Sequence, residues 1–354
     1  MSMKRLVSLA LALVLTLSCF CFASAEVVKD FGGAELVVAT WGWAETNLRK
    51  IAGDFETMYN CKLVVDPTAG NPARITKLMA EKDNPTADVA FLSTCFVPEA
   101  VANDLFDIID TEIVTNVADA YDIALNPDGY GPCYSLCRYS IMYDAKALEE
   151  AGVPAPTSYV DLFDDQYAHM VILPDMTSTA MPYILVAMAE ALGGSQEDVS
   201  AAMALMQEKK DNFDNWYVAT SDVYQAFANG DACITVFMDI YMKDMIANGY
   251  DMVWVDAAEG TIAAPSAINV VKNCKNPELA NLFIQYMLSL DVQNQISVVM
   301  GEAPSNKNAV ICEDQAPYLV DATGLQSVKA FDDAFIATAK IDWIDTFQRT
   351  VAIQ

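Results

Sequence analysis

Four short clusters in this chain hold the side chains able to do chemistry, and each follows an apolar run. They are Trp41-Gly42-Trp43-Ala44-Glu45, Ser93-Thr94-Cys95, Asp175-Met176-Thr177-Ser178-Thr179 and Met238-Asp239-Ile240-Tyr241. Tyr134, Trp216 and Ser266 stand in or beside similar runs. Two binding chemistries suit these residue types. Aromatic faces at Trp41, Trp43, Tyr134, Trp216 and Tyr241, with carboxylates at Glu45, Asp175 and Asp239, suit an organic cation. A desolvated ammonium must recover its hydration energy from counter-charges and π-faces. The hydroxyls of Thr177, Ser178 and Thr179 at a helix start suit an oxyanion held on backbone N–H groups. An oxyanion normally recruits an arginine fork as well. Beyond Arg5 the arginines are Arg49, Arg74, Arg138 and Arg349, and Asp175 would repel an anion. The cation therefore ranks first, and a phosphonate or sugar phosphate second.

Catalysis and metal capture have weaker support. The one histidine, His169, lies in DQYAHMVIL, with no G-x-S-x-G or H-E-x-x-H anywhere in the chain. A two-carboxylate hydrolase is the alternative from a different class, although no two acids are spaced for it. Cys133-x-x-x-Cys137 matches neither a redox C-x-x-C nor a zinc knuckle. No cofactor and no metal ion are expected.

The elements that must position these clusters alternate between strand and helix. Glu35–Thr40, Lys62–Val65 and Ala87–Leu92 read as strands, separated by helical patterns over Thr46–Tyr59 and Asn71–Met79. Tyr134–Tyr143 reads as one strand after the turn-rich NPDGYGP, and Ala232–Met238, Met252–Val255 and Ala267–Val271 as further strands. The run Val171–Leu173 ends at Pro174-Asp175 and feeds a helix, apolar almost all round, that stops at Gly193-Gly194. Two amphipathic pieces follow the Pro304-Ser305-Asn306 loop. Alternating strands and helices predict parallel α/β sheets, whose ligands lie beyond the carboxyl ends of the strands.

The first 25 residues read as a secretory leader: Lys4 and Arg5, an apolar stretch Leu6–Phe22, then Ala23-Ser24-Ala25. Thr16-Leu17-Ser18 fits a lipoprotein signal poorly, with Leu one place too late, so lipid anchoring at Cys19 is disfavoured. The expected location is secreted, periplasmic or on the cell surface. Of nine cysteines, Cys19 and Cys21 leave with the leader, and the odd number remaining means at least one free thiol or an intermolecular bond. A formal charge of −28 repels nucleic acid and anionic membranes.

Five stretches in order resemble the extracellular solute-binding proteins of ABC importers, in the group that contains the spermidine/putrescine binders. They are TWGWAETNLRKIAGDFE, ADVAFLST, YVDLFDDQYAHMVILPDMTSTAMPY, DVYQAFANGDACITV and NPELANLFIQYMLSLDVQNQISVVMGEAPSNKNAV. The resemblance implies an α/β, two-lobed periplasmic-binding-protein-like fold of type II, each lobe a mostly parallel sheet flanked by helices, with the ligand cleft between lobes. It divides the chain into residues 26–133 for the first part of lobe one, 134–264 for lobe two, and 265–354 for the return to lobe one plus C-terminal helices across both lobes. Hinge crossings are expected near Cys133–Arg138 and Ala263–Asn269. The implied function is capture of a small solute, a polyamine or other organic cation, by a monomer that delivers it to a membrane permease. By position, the implied pocket holds Trp41 or Trp43, Glu45, Ser93, Thr94, Cys95, Asp175, Thr177, Ser178 and Thr179. Met238 stands where polyamine binders place Trp, and Thr261–Ser266 replaces their second-hinge Trp and Asp.

Overall fold

The structure is a computed structural model that describes residues 28–67 and 70–352, apart from the Trp43 side chain. The expected leader, with Cys19, lies outside the described residues. The strands are β1 (Ala34–Thr40), β2 (Cys61–Pro67), β3 (Val89–Ser93), β4 (Phe106–Asp107), β5 (Cys133–Leu136), β6 (Arg138–Asp144), β7 (Val171–Pro174), β8 (Trp216–Tyr217), β9 (Ile234–Met238), β10 (Met252–Val255), β11 (Ile262–Ala263), β12 (Ser266–Val271) and β13 (Ala303–Pro304). They form two sheets. Sheet one runs β13-β5-β12-β3-β1-β2, with β4 beside β12; sheet two runs β10-β6-β9-β7-β8, with β11 beside β6.

The parallel part of sheet one is β2-β1-β3, and that of sheet two is β9-β7-β8. Strands adjoining the crossings run antiparallel: β12 against β3 and β5, and β6 against β9 and β10. Both faces of sheet one are covered. Phe91, Tyr134 and Ile268 join one apolar cluster and Ala90, Leu92, Cys133 and Ala267 another, which is the alternation a pleated strand imposes. Burial on both faces explains why these strands read as continuous apolar runs.

The run YSLCRYSIMY is two strands rather than one. It leaves sheet one at Leu136 and enters sheet two at Arg138. The chain returns between Ala263 and Ser266, through Ala264-Pro265. The two crossings are bonded to each other, since Ala264 N–H donates to the Cys137 carbonyl (2.9 Å) and the Cys137 thiol donates to the Ala264 carbonyl (2.7 Å).

The helix after β7 spans Met181–Ala191 and is buried from Met181 to Ala189, as its all-round apolar sequence predicts. The Thr46–Tyr59 pattern is two helices, Glu45–Ile51 and Gly53–Tyr59, broken at Ala52. Beyond the Pro304 loop come a short turn of helix, Gly324–Ser327, and the helix Asp333–Thr350, which Asp332 caps by accepting from Phe335 N–H (2.9 Å). This helix contacts both the sheet-one helix Val97–Ala102 and the sheet-two helix Met181–Ala191.

Candidate functional site

Strand ends of the two sheets converge beside the hinge, and the residues that follow them build the site. On sheet one, β1 delivers Trp41. Its ring packs edge-on to Phe91 (6.3 Å between centroids) with the Arg74 guanidinium 4.9 Å over its face. Ser93, at the end of β3, exchanges hydrogen bonds with Asn71 through its N–H and hydroxyl (both 3.1 Å). Thr94 N–H donates to the Pro265 carbonyl (3.0 Å), which ties this strand end to the second crossing. Ser266 is buried and lies opposite Ser93 and Ser135 in the sheet.

Sheet two delivers the 175–179 loop. The Asp175 carboxylate accepts from the Thr177 N–H (2.8 Å) and hydroxyl (2.7 Å), closing a turn on itself. The Ser178 hydroxyl accepts from Met181 N–H (3.1 Å), the first amide of the following helix. Thr179 faces Cys95 of the opposite sheet across a narrow gap. Cys95, Ser178, Thr179 and Lys340 line a gap of about 10 Å³ where the two sheets meet. Cys95 packs against both lobes' apolar clusters, and burial pushes its thiol up to about 12.

An aromatic wall completes the sheet-two side. Tyr241 stacks on Phe237 (4.4 Å between centroids), and its hydroxyl lies 3.4 Å from that of Thr220. Met238 lies opposite Tyr139 on β6. Desolvation, with Tyr217, Cys137, Tyr241 and Cys95 around it, pushes the Tyr139 phenol well above its ordinary value. Tyr139 packs with Ile141 and Trp216 on one face of sheet two and Tyr217 with Phe237 and Tyr241 on the other, and sequence reasoning passed over both tyrosines. Tyr217 follows Trp216 in the strand and so points to the opposite face.

Other predicted residues serve elsewhere. Glu45 pairs with Arg49 one helical turn away (3.0 Å). Tyr134 is fully buried against Phe91 (4.9 Å). Trp216 stacks on Phe213 and meets Phe347 of the C-terminal helix, both at 5.0 Å. Asp239 is fully buried: it accepts from Arg138 N–H and Val320 N–H (3.2 Å each), with Arg138 Nε at 3.7 Å. Burial pushes this carboxyl up to about 7, against the pull of Arg138 and of the Val320 and Ile240 N–H groups. Arg138 also donates to Asp256 (2.8 Å), the Ser327 hydroxyl (2.8 Å) and the Gly324 carbonyl (3.2 Å). Its guanidinium sits 4.9 Å over the Trp254 ring. Glu302 is buried near Tyr134 and Ser135, and burial raises it to about 7 as well.

His169 is exposed, adopts a left-handed backbone (φ 62°) and pairs with Asp214 (2.8 Å). Among the described residues, no cluster of three His, Cys, Asp or Glu side chains could hold a metal ion. No described helix is long and apolar enough to cross a membrane.

A two-sheet body with a hinge and facing strand ends is the architecture of a solute-capture protein, and comparison with known proteins agrees. Residues 50–318 match the family described as bacterial extracellular solute-binding proteins, and the chain belongs to that family. A relative from Haemophilus influenzae, described as uncharacterized, is 25% identical over 268 residues, covering 74% of this chain and 72% of its own. The crystal structure of an ABC transporter from Clostridium perfringens is similar, with TM-score 0.77 at 26% identity, covering 89% of this chain and 99% of that one. A periplasmic thiamin-binding protein has TM-score 0.74 at 21% identity, covering 91% and 97%. The periplasmic protein AfuA from Actinobacillus pleuropneumoniae, bound to fructose-6-phosphate, has TM-score 0.72 at 17% identity, covering 92% and 100%. The last two show the fold alone, the type II periplasmic-binding-protein fold. Family and fold are those of the solute-binding components of ABC transporters, which implies a small-molecule ligand and a permease partner.

Proposed function

We propose that this protein captures an organic cation between two closing lobes and hands it to an ABC permease. The closing bodies are residues 28–136 with the return from Ser266 onward, and residues 138–263. The observation that carries the choice of ligand is the state of the three candidate counter-charges. Glu45 is paired with Arg49, Asp175 is closed on Thr177, and Asp239 is buried at the hinge. A primary polyamine, whose compact ammonium groups need free carboxylates, is poorly served by such a site. Tyr241 on the sheet-two side and Trp41 on the sheet-one side instead supply aromatic faces. These suit a cation with delocalised or quaternary charge, each good face contributing about 0.5–2 kcal/mol. The net charge of −28 raises the local concentration of cations around the cleft.

The second reading, an oxyanion, is favoured by one observation: Lys340 joins Ser178, Thr179 and the start of the Met181–Ala191 helix around the same gap. Thermal-shift screening of the purified protein separates the two. The panel holds thiamin, quaternary amines, putrescine, spermidine, γ-aminobutyrate, fructose-6-phosphate and phosphonates. A solute at 100 times its Kd stabilises by about 2.7 kcal/mol. Stabilisation by thiamin or quaternary amines is expected; stabilisation by phosphorylated solutes alone would establish the second reading. Turnover of a solute with no stabilisation by any intact one would establish the hydrolase.

A further inference from the structure

We propose that Asp239 is an interlobe latch whose protonation couples lobe closure to the pH outside the cell. Asp239 opens the short turn Asp239–Tyr241 at the end of β9, in sheet two. One carboxylate oxygen accepts from the N–H of Arg138, the residue on which the chain enters sheet two. The other accepts from the N–H of Val320. Val320 and Leu319 belong to the apolar cluster on sheet one that contains Leu92, Leu136 and Ala267, and Ile240 packs against that same cluster. The carboxylate thus joins a sheet-two turn to a segment seated on sheet one. Opening the hinge parts these two and admits water to the carboxylate.

The charged and titratable groups around it come from every packed element. Arg138 and Cys137 face it from the first crossing, and the buried Cys137 thiol also feels the charge of the buried Glu302. Tyr241 shares its turn, and Asp256 engages Arg138 from the far side. Asp321, beside Val320, is occupied with its own turn through Thr323 and Gly324 N–H. Loss of water outweighs the Arg138 attraction and raises the carboxyl to about 7 from an ordinary value of 3.8.

The closed form therefore keeps a proton that the hydrated, open form releases between those two values, so acid favours closure. Taking the open form as fully hydrated, going from pH 8.5 to 5.5 raises the closed-to-open ratio by up to about 30-fold. The inference rests on the two-lobe reading but requires no particular solute.

The test uses unliganded protein at pH 5.5 and 8.5, with small-angle X-ray scattering to measure the radius of gyration and far-UV circular dichroism to verify folding. The wild type is expected to be more compact at pH 5.5. Asp239→Asn should be equally compact at both pH values, and Glu302→Gln should respond as the wild type does. A wild-type radius indifferent to pH overturns the latch, and so does a response that survives Asp239→Asn but vanishes in Glu302→Gln. Should Asp239→Asn fail to fold, hydrogen exchange at the Val320 amide in the wild type decides, corrected for intrinsic rates. Greater protection at pH 5.5 supports the latch, and equal protection overturns it. A protein that compacts in acid yet binds none of the panel solutes keeps the latch and loses the proposed function.

Discussion

Replacing Arg138 with Met tests whether the hinge is held by a buried ionic network or by apolar packing alone. The substitution keeps most of the side-chain volume and removes the guanidinium. It takes donors from the Gly324 carbonyl, the Ser327 hydroxyl and Asp256, and it removes the cation beside Asp239. Hydrogen bonds to charged groups contribute about 1.5–3 kcal/mol each, and breaking a buried ion pair from one side costs about 3–5 kcal/mol. Asp256 is 45% exposed, so its share falls to at most about 1 kcal/mol. The sum is non-additive, and the expected loss at pH 8.5 is about 3–5 kcal/mol, a large part of a typical stability. At pH 5.5 Asp239 is protonated and no buried charge is left behind, so the loss should be smaller, about 1–3 kcal/mol. The double variant Arg138→Met/Asp239→Asn should recover part of the loss at pH 8.5. Urea unfolding, followed by circular dichroism and tryptophan fluorescence at both pH values, measures these differences. A loss below about 1 kcal/mol at both, or one equal at both, refutes the ionic account.

Four further outcomes are expected. Gly131→Ala should prevent folding or lower the melting temperature steeply in calorimetry, because a Cβ there would stand 2.0 Å from the Ile268 carbonyl oxygen. Leu185→Ala, at a fully buried position of the helix after β7, should cost about 2–5 kcal/mol in urea unfolding. Ser178→Ala removes the hydroxyl that accepts from Met181 N–H and should cost about 1 kcal/mol by the same assay. Asp239 and Glu302, both raised to about 7 from 3.8 and 4.5, favour the folded state most below about pH 4, and that contribution is lost as pH rises to 7. Glu302→Gln should flatten part of this slope in a pH series of melting temperatures.

Several features were legible in the sequence for identifiable reasons. The strands β1 and β3 are apolar because both sheet faces are covered, and their ends at Trp41 and Ser93 are marked by a change to polar and aromatic residues. The helix Met181–Ala191 announced itself through Pro182 in its first turn and Gly193 beyond its end. The hinge did not. Leu136, Cys137 and Arg138 look like the middle of one strand, because each half is apolar enough to pair with a different sheet. What splits them is the pair of hydrogen bonds between Cys137 and Ala264, partners 127 residues apart. Asp239 was recognisable as a candidate group, but its role depends on Val320, 81 residues away, and Arg138, 101 residues away. Tyr139 and Tyr217 sit inside strands, where a tyrosine reads as ordinary sheet composition. The C-terminal helix keeps its apolar stripe Ile336, Trp343, Ile344, Phe347 and Val351 on the sheet-two side.

The central claim is that one solute is gripped from both sheets at once. Calorimetric titration of the best-stabilising organic cation into wild type, Trp41→Leu and Tyr241→Leu tests it most directly. The account predicts one site per chain and at least about tenfold weaker binding in each variant, the loss of one aromatic face being about 1.4 kcal/mol. Affinity unchanged in either variant, or a site count other than one, would contradict it.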